Sequence, residues 1–257
     1  EIFEIPEGIT KISEGALANN PYLKTIVLPS TLVELTTKDL STLSGLEEIE
    51  VDDANKTFTS VDGILYSNDK KEVISCPVSY KNTLTINTAV TTIKQDAFNG
   101  SSFESIILPD SVEVIEDNAF ANSKALKSVT FGENLKSIGS QVFANDTKLQ
   151  TVTFNSFVPD MTATSFAGVT NLTIRYPSAA TAFKTSPALK NFTLTSYNMP
   201  LGDCNQDGSV NFMDSINVLK YEVSLQSFTR FQSDLSDVNH DGVINYKDAI
   251  LILQHDA

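Results

Sequence analysis

The sequence has no tryptophan, and it has only two histidines and two cysteines in 257 residues. Both histidines, His240 and His255, lie near the C-terminal end, so residues 1–200 contain none. A Ser-His-Asp or Cys-His nucleophile system therefore cannot be built in residues 1–200, and a zinc hydrolase would lack its imidazole ligands there. Cys76 has no base to activate it, so we interpret it as a small core residue.

Long apolar runs and an excess of basic charge are also missing. No segment is apolar for long enough to cross a bilayer, so no membrane span is predicted. With 32 acidic residues against 18 basic ones, the formal net charge is −14. Nucleic acid and anionic membrane surfaces are poor partners for such a chain. No signal peptide is present, and we expect the abrupt start at Glu1 to mark a trimmed sequence.

One acidic cluster could in principle supply the paired carboxylates of a glycoside hydrolase. It has no evident aromatic platform beside it to hold a sugar ring. We interpret it as a solvated acidic face, with a minor cation site as the alternative. Its members are Glu47, Glu48, Glu50, Asp52 and Asp53.

A period of about 23 residues runs through the first two-thirds of the sequence. Each unit carries a Leu-x-x-Ile/Val-x-Leu/Phe segment, such as Leu126 to Phe131, whose alternate residues would be buried in a short strand. Such a period predicts a solenoid, because a single unit cannot bury its apolar side until its neighbours stack on it. The bulky residues of the Ala-Phe or Asp-Leu turns are predicted to form one continuous internal column of Leu17, Leu40, Phe98, Phe120, Phe143 and Phe166.

The Ala-Phe signature and the repeat length resemble the leucine-rich repeat family of bacterial surface antigens, the BspA-like repeats. The resemblance implies a leucine-rich repeat solenoid of short parallel β-strands with turns and short helices over residues 1–194. An insertion at 52–89 interrupts the register, and its segments 64–66 and 73–75 flank 68–71 as the strands of a β-hairpin would. Residues 175–194, with a short helix at 179–184, are predicted to be the C-terminal cap.

The outward strand positions of the repeats are small and rich in hydroxyl groups. Solenoids commonly bind proteins on such a face, although threonine is also favoured in strands by its β propensity. Neither interpretation names the ligand. The positions are Thr25 and Val27, Glu48 and Glu50, Ser105 and Ile107, Ser128 and Thr130, and Thr151 and Thr153.

An acidic 12-residue loop occurs twice, beginning at Asp203 and, 34 residues later, at Asp237. Oxygen-bearing side chains recur at positions 1, 3, 5, 9 and 12, and glycine stands at position 6. Calcium takes six to eight oxygen ligands, and such a loop supplies them from these positions and from the backbone carbonyl of position 7. Acidic surface turns are the alternative, but two copies in register favour two Ca²⁺ ions. The predicted ligands are Asp203, Asn205, Asp207, Ser209, Asn211 and Asp214, and Asp237, Asn239, Asp241, Val243, Asn245 and Asp248.

An apolar helical pattern follows each loop, but no comparable helix is predicted before either loop. The duplication, the missing entering helix, the aspartate at position 12 and the C-terminal placement resemble the dockerin module of cellulosomal proteins over residues 201–257. This resemblance implies a small all-α module with two F-hand calcium loops that binds a cohesin module of a scaffold protein. Residues 195–200 would be a short linker whose Pro200 restricts reorientation of the modules.

Two apolar stripes share the helix after the first loop. The stripe of Ile216, Leu219 and Val223 is predicted to face the core. The second stripe, which starts at Val218, is interpreted as a partner surface because a module this small cannot easily bury both faces of a helix. The alternative is that the second stripe packs on the connector, the segment that joins the two loop-helix units, around Phe228.

The dockerin resemblance places partner contacts at loop positions 10 and 11 and on the outer face of the exiting helix. We expect the first copy to dominate, because its positions 10 and 11 are both apolar, whereas the second copy has a mixed pair. The predicted partner-binding residues are Phe212, Met213, Val218, Lys220, Tyr221 and Leu225, and Tyr246, Lys247, Ile252, Gln254 and His255.

The two resemblances, together with the lack of histidine in residues 1–200, imply a non-catalytic, secreted bacterial protein of a cellulosome. Its dockerin would attach it to a scaffoldin cohesin, while the repeats serve as a protein-interaction or adhesion module. The alternative is an enzyme, or an enzyme-associated module, that acts on plant polysaccharide with an unrecognised active site. A calcium sensor is disfavoured because sensors use EF-hands with a helix on both sides of each loop.

Overall fold

The computed structural model describes residues 1–18, 20–81 and 83–255. Short strands dominate up to residue 197, and helices dominate beyond it. In the described ranges the strands are β1 (Ile2–Glu4), β2 (Lys11–Ile12), β3 (Thr25–Leu28), β4 (Glu34–Leu35), β5 (Glu48–Val51), β6 (Phe58–Val61), β7 (Ile64–Ser67), β8 (Glu72–Ser75), β9 (Thr92–Ile93), β10 (Ser105–Ile107), β11 (Val114–Ile115), β12 (Ser128–Phe131), β13 (Ser137–Ile138), β14 (Thr151–Phe154), β15 (Thr173–Pro177) and β16 (Thr193–Tyr197). The α-helices there are α1 (Thr37–Ser41), α2 (Phe212–Glu222), α3 (Arg230–Ser236) and α4 (Tyr246–His255).

The repeats form a solenoid in which neighbouring strands are parallel and one repeat apart. One sheet has the order β10-β12-β14-β15-β16, and its N-terminal counterpart has the order β1-β3-β5. Val129 pairs with Val152 and Val152 with Ile174, so equivalent buried positions stack along the sheet. The alternation of buried and half-buried residues in β12 and β14 follows the two-residue period of a strand. The predicted solenoid is confirmed.

The predicted insertion contains the expected hairpin, in which β7 pairs with β8 in antiparallel fashion. β6 joins β7 on its other side, and β8 continues into the repeats by parallel pairing with β9. Residues of β7 point alternately to two different cores: Ile64 and Tyr66 belong to the C-terminal cluster, and Leu65 belongs to the N-terminal one. The hairpin therefore separates two apolar cores and contributes side chains to both.

Because the hairpin separates the two cores, the prediction of one continuous internal column is wrong. Phe98, Phe120, Phe143 and Phe166 do stack, with ring centroids 5.2, 5.5 and 5.3 Å apart. Leu40 lies instead in the separate N-terminal cluster, with Leu17 packed against it. The column is broken because the hairpin lies between the two clusters, with Leu65 in one and Tyr66 in the other.

The C-terminal end of the solenoid also differs from the prediction. The cap carries 3₁₀-helices at Thr181–Thr185 and Pro187–Leu189 in place of one helix at 179–184. β16 then pairs with β15 as far as Tyr197, so the cap reaches past residue 194 and the predicted linker 195–200 shrinks to 198–200. The Tyr197 hydroxyl donates to the Phe154 carbonyl at 2.9 Å, which holds the last residue of the strand on the repeats.

The C-terminal module is built on the packing of α2 against α4. Its buried cluster contains Cys204, Val218, Ala249 and Ile252. As predicted, no helix leads into the first loop among the described residues before Asp203. The prediction is wrong for the second loop, because α3 ends directly before Asp237. The start of α3 is fixed by a capping box, in which the Thr229 hydroxyl accepts from the backbone N–H of Gln232 at 3.1 Å.

Candidate calcium loops and docking face

The position-1 aspartates organise the first half of each loop. Asp203 is fully buried, and its two carboxylate oxygens accept the backbone N–H groups of Asp207 at 3.1 Å and Gly208 at 2.9 Å. Asp237 accepts the N–H groups of the equivalent residues, Asp241 and Gly242, at 3.1 and 2.9 Å. The two loops therefore have the same fold, as their sequence register predicts.

The sharp turn in each loop uses two left-handed residues. Position 4 has φ of 62° at Gln206 and 58° at His240, and position 6 has φ of 89° at Gly208 and 83° at Gly242. Glycine suits position 6 because it adopts this conformation at no steric cost. The turn brings the side-chain oxygens of positions 1 and 3 to the same amide, since Asn205 Oδ1 also accepts the Asp207 N–H at 2.9 Å. At position 5, the Asp207 carboxylate accepts the N–H of Ser209, also at 2.9 Å.

The position-12 aspartates close each loop from its other end. Asp214 and Asp248 are fully buried although each lies in the first turn of a helix. At position 9, the side-chain oxygens of Asn211 and Asn245 accept the N–H groups two residues on, at 2.8 and 2.9 Å, and so cap the exiting helices. A residue in this position commonly reaches calcium through a water molecule.

The electrostatics of the first loop favour a cation. Burial raises the pKa of Asp203, and the negative charges of Asp214 and Asp207 raise it further, while the N–H groups of Gly208 and Asp207 partly offset this. Carboxylates brought together out of water repel one another, and a divalent cation between them relieves the repulsion.

The carboxylate, amide and backbone carbonyl oxygens that each loop offers are the ligands that calcium prefers. In residues 1–18, 20–81 and 83–255, no three His, Cys, Asp or Glu side chains meet closely enough to form a metal cluster by themselves. Each loop adds amide and backbone carbonyl oxygens to its carboxylates, which suits a hard cation and not zinc. A carboxylate has about four lone-pair sites, and Asp214 uses two of them in hydrogen bonds.

The predicted faces of the exiting helices are wrong. The sequence predicts Val218 and Ile252 on the partner surface, but both are buried in the module core, so neither is available to a partner. The position-12 aspartate faces the loop, and the residue four positions later lies on the same side of the helix. The loop therefore rotates Val218 and Ile252 inward.

The stripe predicted to face the core, at loop positions 14, 17 and 21, lies on the solvent side of its helix. It continues the predicted partner contacts at position 10, Phe212 and Tyr246, which are exposed. The second helix carries the same stripe at positions 10, 14 and 17. Leu219 is 42% exposed, and its counterpart Leu253 is 41% exposed. We call this the docking stripe, in which Ile216 is half-buried and the other members are exposed: Phe212, Ile216, Leu219 and Val223 on the first copy, and Tyr246, Ile250 and Leu253 on the second.

Of the remaining predicted partner residues, Tyr221 packs within the module and the others are exposed. Tyr221 stacks on Phe228 with ring centroids 4.7 Å apart, so the alternative of packing on the connector is confirmed for this residue. Met213 and Leu225 are exposed large apolar residues. The polar members Lys220, Lys247, Gln254 and His255 are also exposed.

The hydroxyl-rich face of the repeats is aligned as predicted within each sheet, but the hairpin separates the two sheets. Ser105, Ser128 and Thr151 stand in register on neighbouring strands, and so do Ile107, Thr130 and Thr153. Thr25 and Val27 pair with Glu48 and Glu50 in the N-terminal sheet. The rows continue through β15 and β16, where Arg175 pairs with Thr195; the predicted positions do not include this extension.

The acidic cluster on the repeats is a solvated surface. Its residues 48, 50, 52 and 53 are exposed, and Glu47 forms ion pairs with Lys24 at 3.0 Å and Lys81 at 2.6 Å. Carboxylates paired with lysines on an open surface offer no enclosed site for a sugar.

Comparison with known proteins gives two family matches. The model of the BspA type leucine rich repeat region matches residues 1–83 and 91–219 in six copies. The model of the dockerin type I domain matches residues 201–255. The overlap of the two matches lies beyond Tyr197, where the last repeat strand ends. Curated proteins give no match to the chain.

Solved structures show the same repeat fold. A leucine-rich repeat protein from Eubacterium ventriosum is 24% identical over 77% of this chain, with a TM-score of 0.59. A leucine-rich cell surface protein from Faecalibacterium prausnitzii is 22% identical over 80% of this chain, with a TM-score of 0.56. The matches cover 55% and 62% of those two chains.

Both families consist of interaction modules and not catalytic ones, and type I dockerin domains bind calcium. They point to an extracellular or cell-surface location. Every helix in the described ranges is too short or too polar to cross a membrane. The chain belongs to the BspA-type leucine-rich repeat family, and its C-terminal module is a type I dockerin domain.

Proposed function

We propose that this protein is a non-catalytic, secreted component of a cellulosome, attached to a scaffold by its dockerin. The dockerin binds a cohesin module when its two loops hold two Ca²⁺ ions. The repeat module then presents an interaction or adhesion surface at the scaffold. The observation that carries the proposal is the docking stripe, which repeats on the two helices that leave the calcium loops.

The docking stripe has the chemistry of a protein interface. Leu219, Tyr246, Ile250 and Leu253 are each between 41% and 53% exposed, although they are large apolar side chains. Clustered exposed apolar residues of this kind mark interaction sites, and polar residues at their rim add specificity. Lys220 and Lys247 are placed to supply that rim.

Calcium acts on the stripe through the position-12 aspartates. Asp214 belongs both to the first loop and to the first turn of α2, so an ion held in the loop also fixes the beginning of the helix. At a calcium concentration 1,000 times the dissociation constant, one bound ion stabilises the folded state by about 4 kcal/mol. In a module of under 60 residues, built on a small buried cluster of Cys204, Val218, Ala249 and Ile252, that contribution decides whether the helices are formed.

Calorimetric titration of the full chain with a panel of cohesin modules, with and without a calcium chelator, tests the proposal. We expect binding to at least one cohesin that is lost in chelator and weakened about tenfold or more by Leu219→Ala, since truncating a central apolar contact costs about 2 kcal/mol and about 1.4 kcal/mol is already tenfold. Leu253→Ala should have a smaller effect if the first copy dominates. Ile107→Ala, an equally simple truncation on the repeats, is the control.

Two outcomes contradict the proposal. Cohesin binding that persists unchanged in chelator would exclude a calcium-dependent dockerin, and hydrolysis of plant polysaccharides by the full chain would exclude a non-catalytic role. The hydroxyl rows of the repeats support an interaction role for that module, and pull-down on cell-surface and plant polysaccharides tests it in the same preparation.

A further inference from the structure

The connector helix α3 is anchored by the repeat module. Phe231 is 1% exposed, and its ring meets that of Phe157 edge-on, with centroids 5.2 Å apart and planes at 62°. Phe157 itself packs against the C-terminal repeat core. The gap between the modules at this point is about 10 Å³, bounded also by Leu135 and Val158, and that volume leaves at most the room of one water molecule.

The polar contacts of α3 connect the repeats to the second loop. The Thr229 hydroxyl donates to the Glu133 carboxylate of the repeats and also accepts the N–H of Gln232, so one group caps the helix and touches the other module. At the other end of α3, the backbone N–H of Asp237 donates to the Ser233 carbonyl at 3.1 Å. The helix docked on the repeats therefore leads directly into the position-1 residue of the second loop.

The first loop is tied to the repeats by a different contact. The side-chain amide of Asn198 donates to the carbonyl of Gly208 in the loop. The N–H of the same peptide, on Ser209, donates to Asp207 at 2.9 Å, so both sides of this peptide are held. Met199, the next residue after Asn198, is fixed to the repeat cap by hydrogen bonds with Ser178 and Ala179, both at 3.0 Å.

From these contacts we infer that docking of the dockerin on the repeat module and calcium binding by the two loops stabilise each other. The repeats hold α3 before the second loop and the Gly208 peptide within the first, so they favour the loop conformations that bind the ion. By linkage, bound calcium must favour the docked arrangement to the same extent. The inference rests on the calcium binding of the proposed function but not on its cohesin binding.

The test uses the full chain, stripped with chelator and titrated with Ca²⁺ alone. Phe157→Ala lies in the repeats and leaves the dockerin sequence intact. We expect it to weaken calcium binding about fivefold or more, the lower end of typical coupling between sites. Phe103→Ala removes a half-buried ring from the same repeat core away from the dockerin and is the matched control, for which we expect parent affinity. Asn198→Ala should weaken only the site of the first loop.

Hydrogen exchange supplies the second readout. Calcium should slow exchange of the α3 amides in the parent chain and do so less in Phe157→Ala. Equal calcium affinity in Phe157→Ala and Phe103→Ala, with α3 exchange insensitive to calcium, would overturn the coupling while leaving the calcium loops intact. A parent chain that binds no calcium would overturn the coupling and the calcium part of the proposed function together.

Discussion

Asp214 and Asp248 make the same pair of hydrogen bonds in the two loops. Asp214 accepts the N–H groups of Asn205 at 3.0 Å and Asn211 at 2.9 Å, one with each carboxylate oxygen. Asp248 accepts those of Asn239 at 3.2 Å and Asn245 at 3.0 Å. The last side chain of each loop thus joins position 3 to position 9, and it does so from a fully buried site.

Asp214→Ala should therefore remove one calcium site and leave the other. The substitution deletes a ligand and leaves two loop N–H groups without their acceptor, each of which costs about 1–3 kcal/mol if it stays buried. We expect calorimetric stoichiometry to fall from two ions to one, and Asp248→Ala to give the same result at the second loop. Asp69→Ala, in an exposed hairpin turn, is the control. Two ions bound by Asp214→Ala would contradict this assignment.

Removal of calcium should unfold the dockerin before the repeats. In the part of the dockerin that the structure describes, the buried apolar cluster is small, whereas the C-terminal repeat cluster contains the stacked phenylalanines and many further side chains. We expect two thermal transitions, with only the lower one shifted strongly when a chelator is added, because calcium contributes several kcal/mol to the dockerin alone. Scanning calorimetry measures both. A chelator shift confined to the upper transition would refute the expectation.

The solenoid and the loops were predictable because each is a repeated local pattern. The faces of α2 were not, because apolar residues surround the helix and periodicity alone does not say which side is buried. The decisive fact is the burial of Asp214 in the loop, which turns Val218, one helical turn later, toward the core.

Two other misses have equally local causes. The start of the helix before the second loop is indicated by the capping box of Thr229 and Gln232, which is a polar signal and so does not show in the pattern of apolar residues. The break in the internal column follows from strand alternation in the hairpin, where Leu65 points away from Tyr66. The anchoring of Phe231 on Phe157 joins residues far apart in sequence, and no local pattern indicates it.

The corrected faces of α2 make a direct prediction for neighbouring residues. Val218→Ala creates a cavity in a small core and should lower the free energy of unfolding of the dockerin by about 2 kcal/mol. Leu219→Ala trims an exposed side chain and should change it by less than about 0.5 kcal/mol. Chemical denaturation of the calcium-loaded chain measures the free energy of unfolding of both variants. A larger loss for Leu219→Ala than for Val218→Ala would restore the faces expected from the sequence.

Asp146 makes the repeat module sensitive to pH. It is fully buried, and one carboxylate oxygen accepts the Ser123 N–H at 2.7 Å, while the other has no partner among the residues that the structure describes. Burial raises the pKa of Asp146 from its usual 3.8 to about 8, and the Ser123 N–H partly opposes this. Between these two pH values the folded chain keeps a proton that the unfolded chain releases. The free energy of unfolding should therefore fall as the pH rises through this interval, by at most about 1.4 kcal/mol per pH unit.

Asp146→Asn keeps an oxygen for the Ser123 N–H and removes the titrating group. It should therefore reduce the decrease in the free energy of unfolding with rising pH. We expect the variant to match the parent near pH 4 and to be more stable at pH 8, as measured by urea unfolding of the repeat module across that range. Asp117→Asn is the matched control, because Asp117 also accepts a backbone N–H from the next repeat, that of Ser140 at 2.7 Å, but is exposed. A parent and an Asp146→Asn variant with the same dependence on pH would mean that the buried carboxyl reaches water in the folded state, since only hydration would return its pKa to the unfolded value.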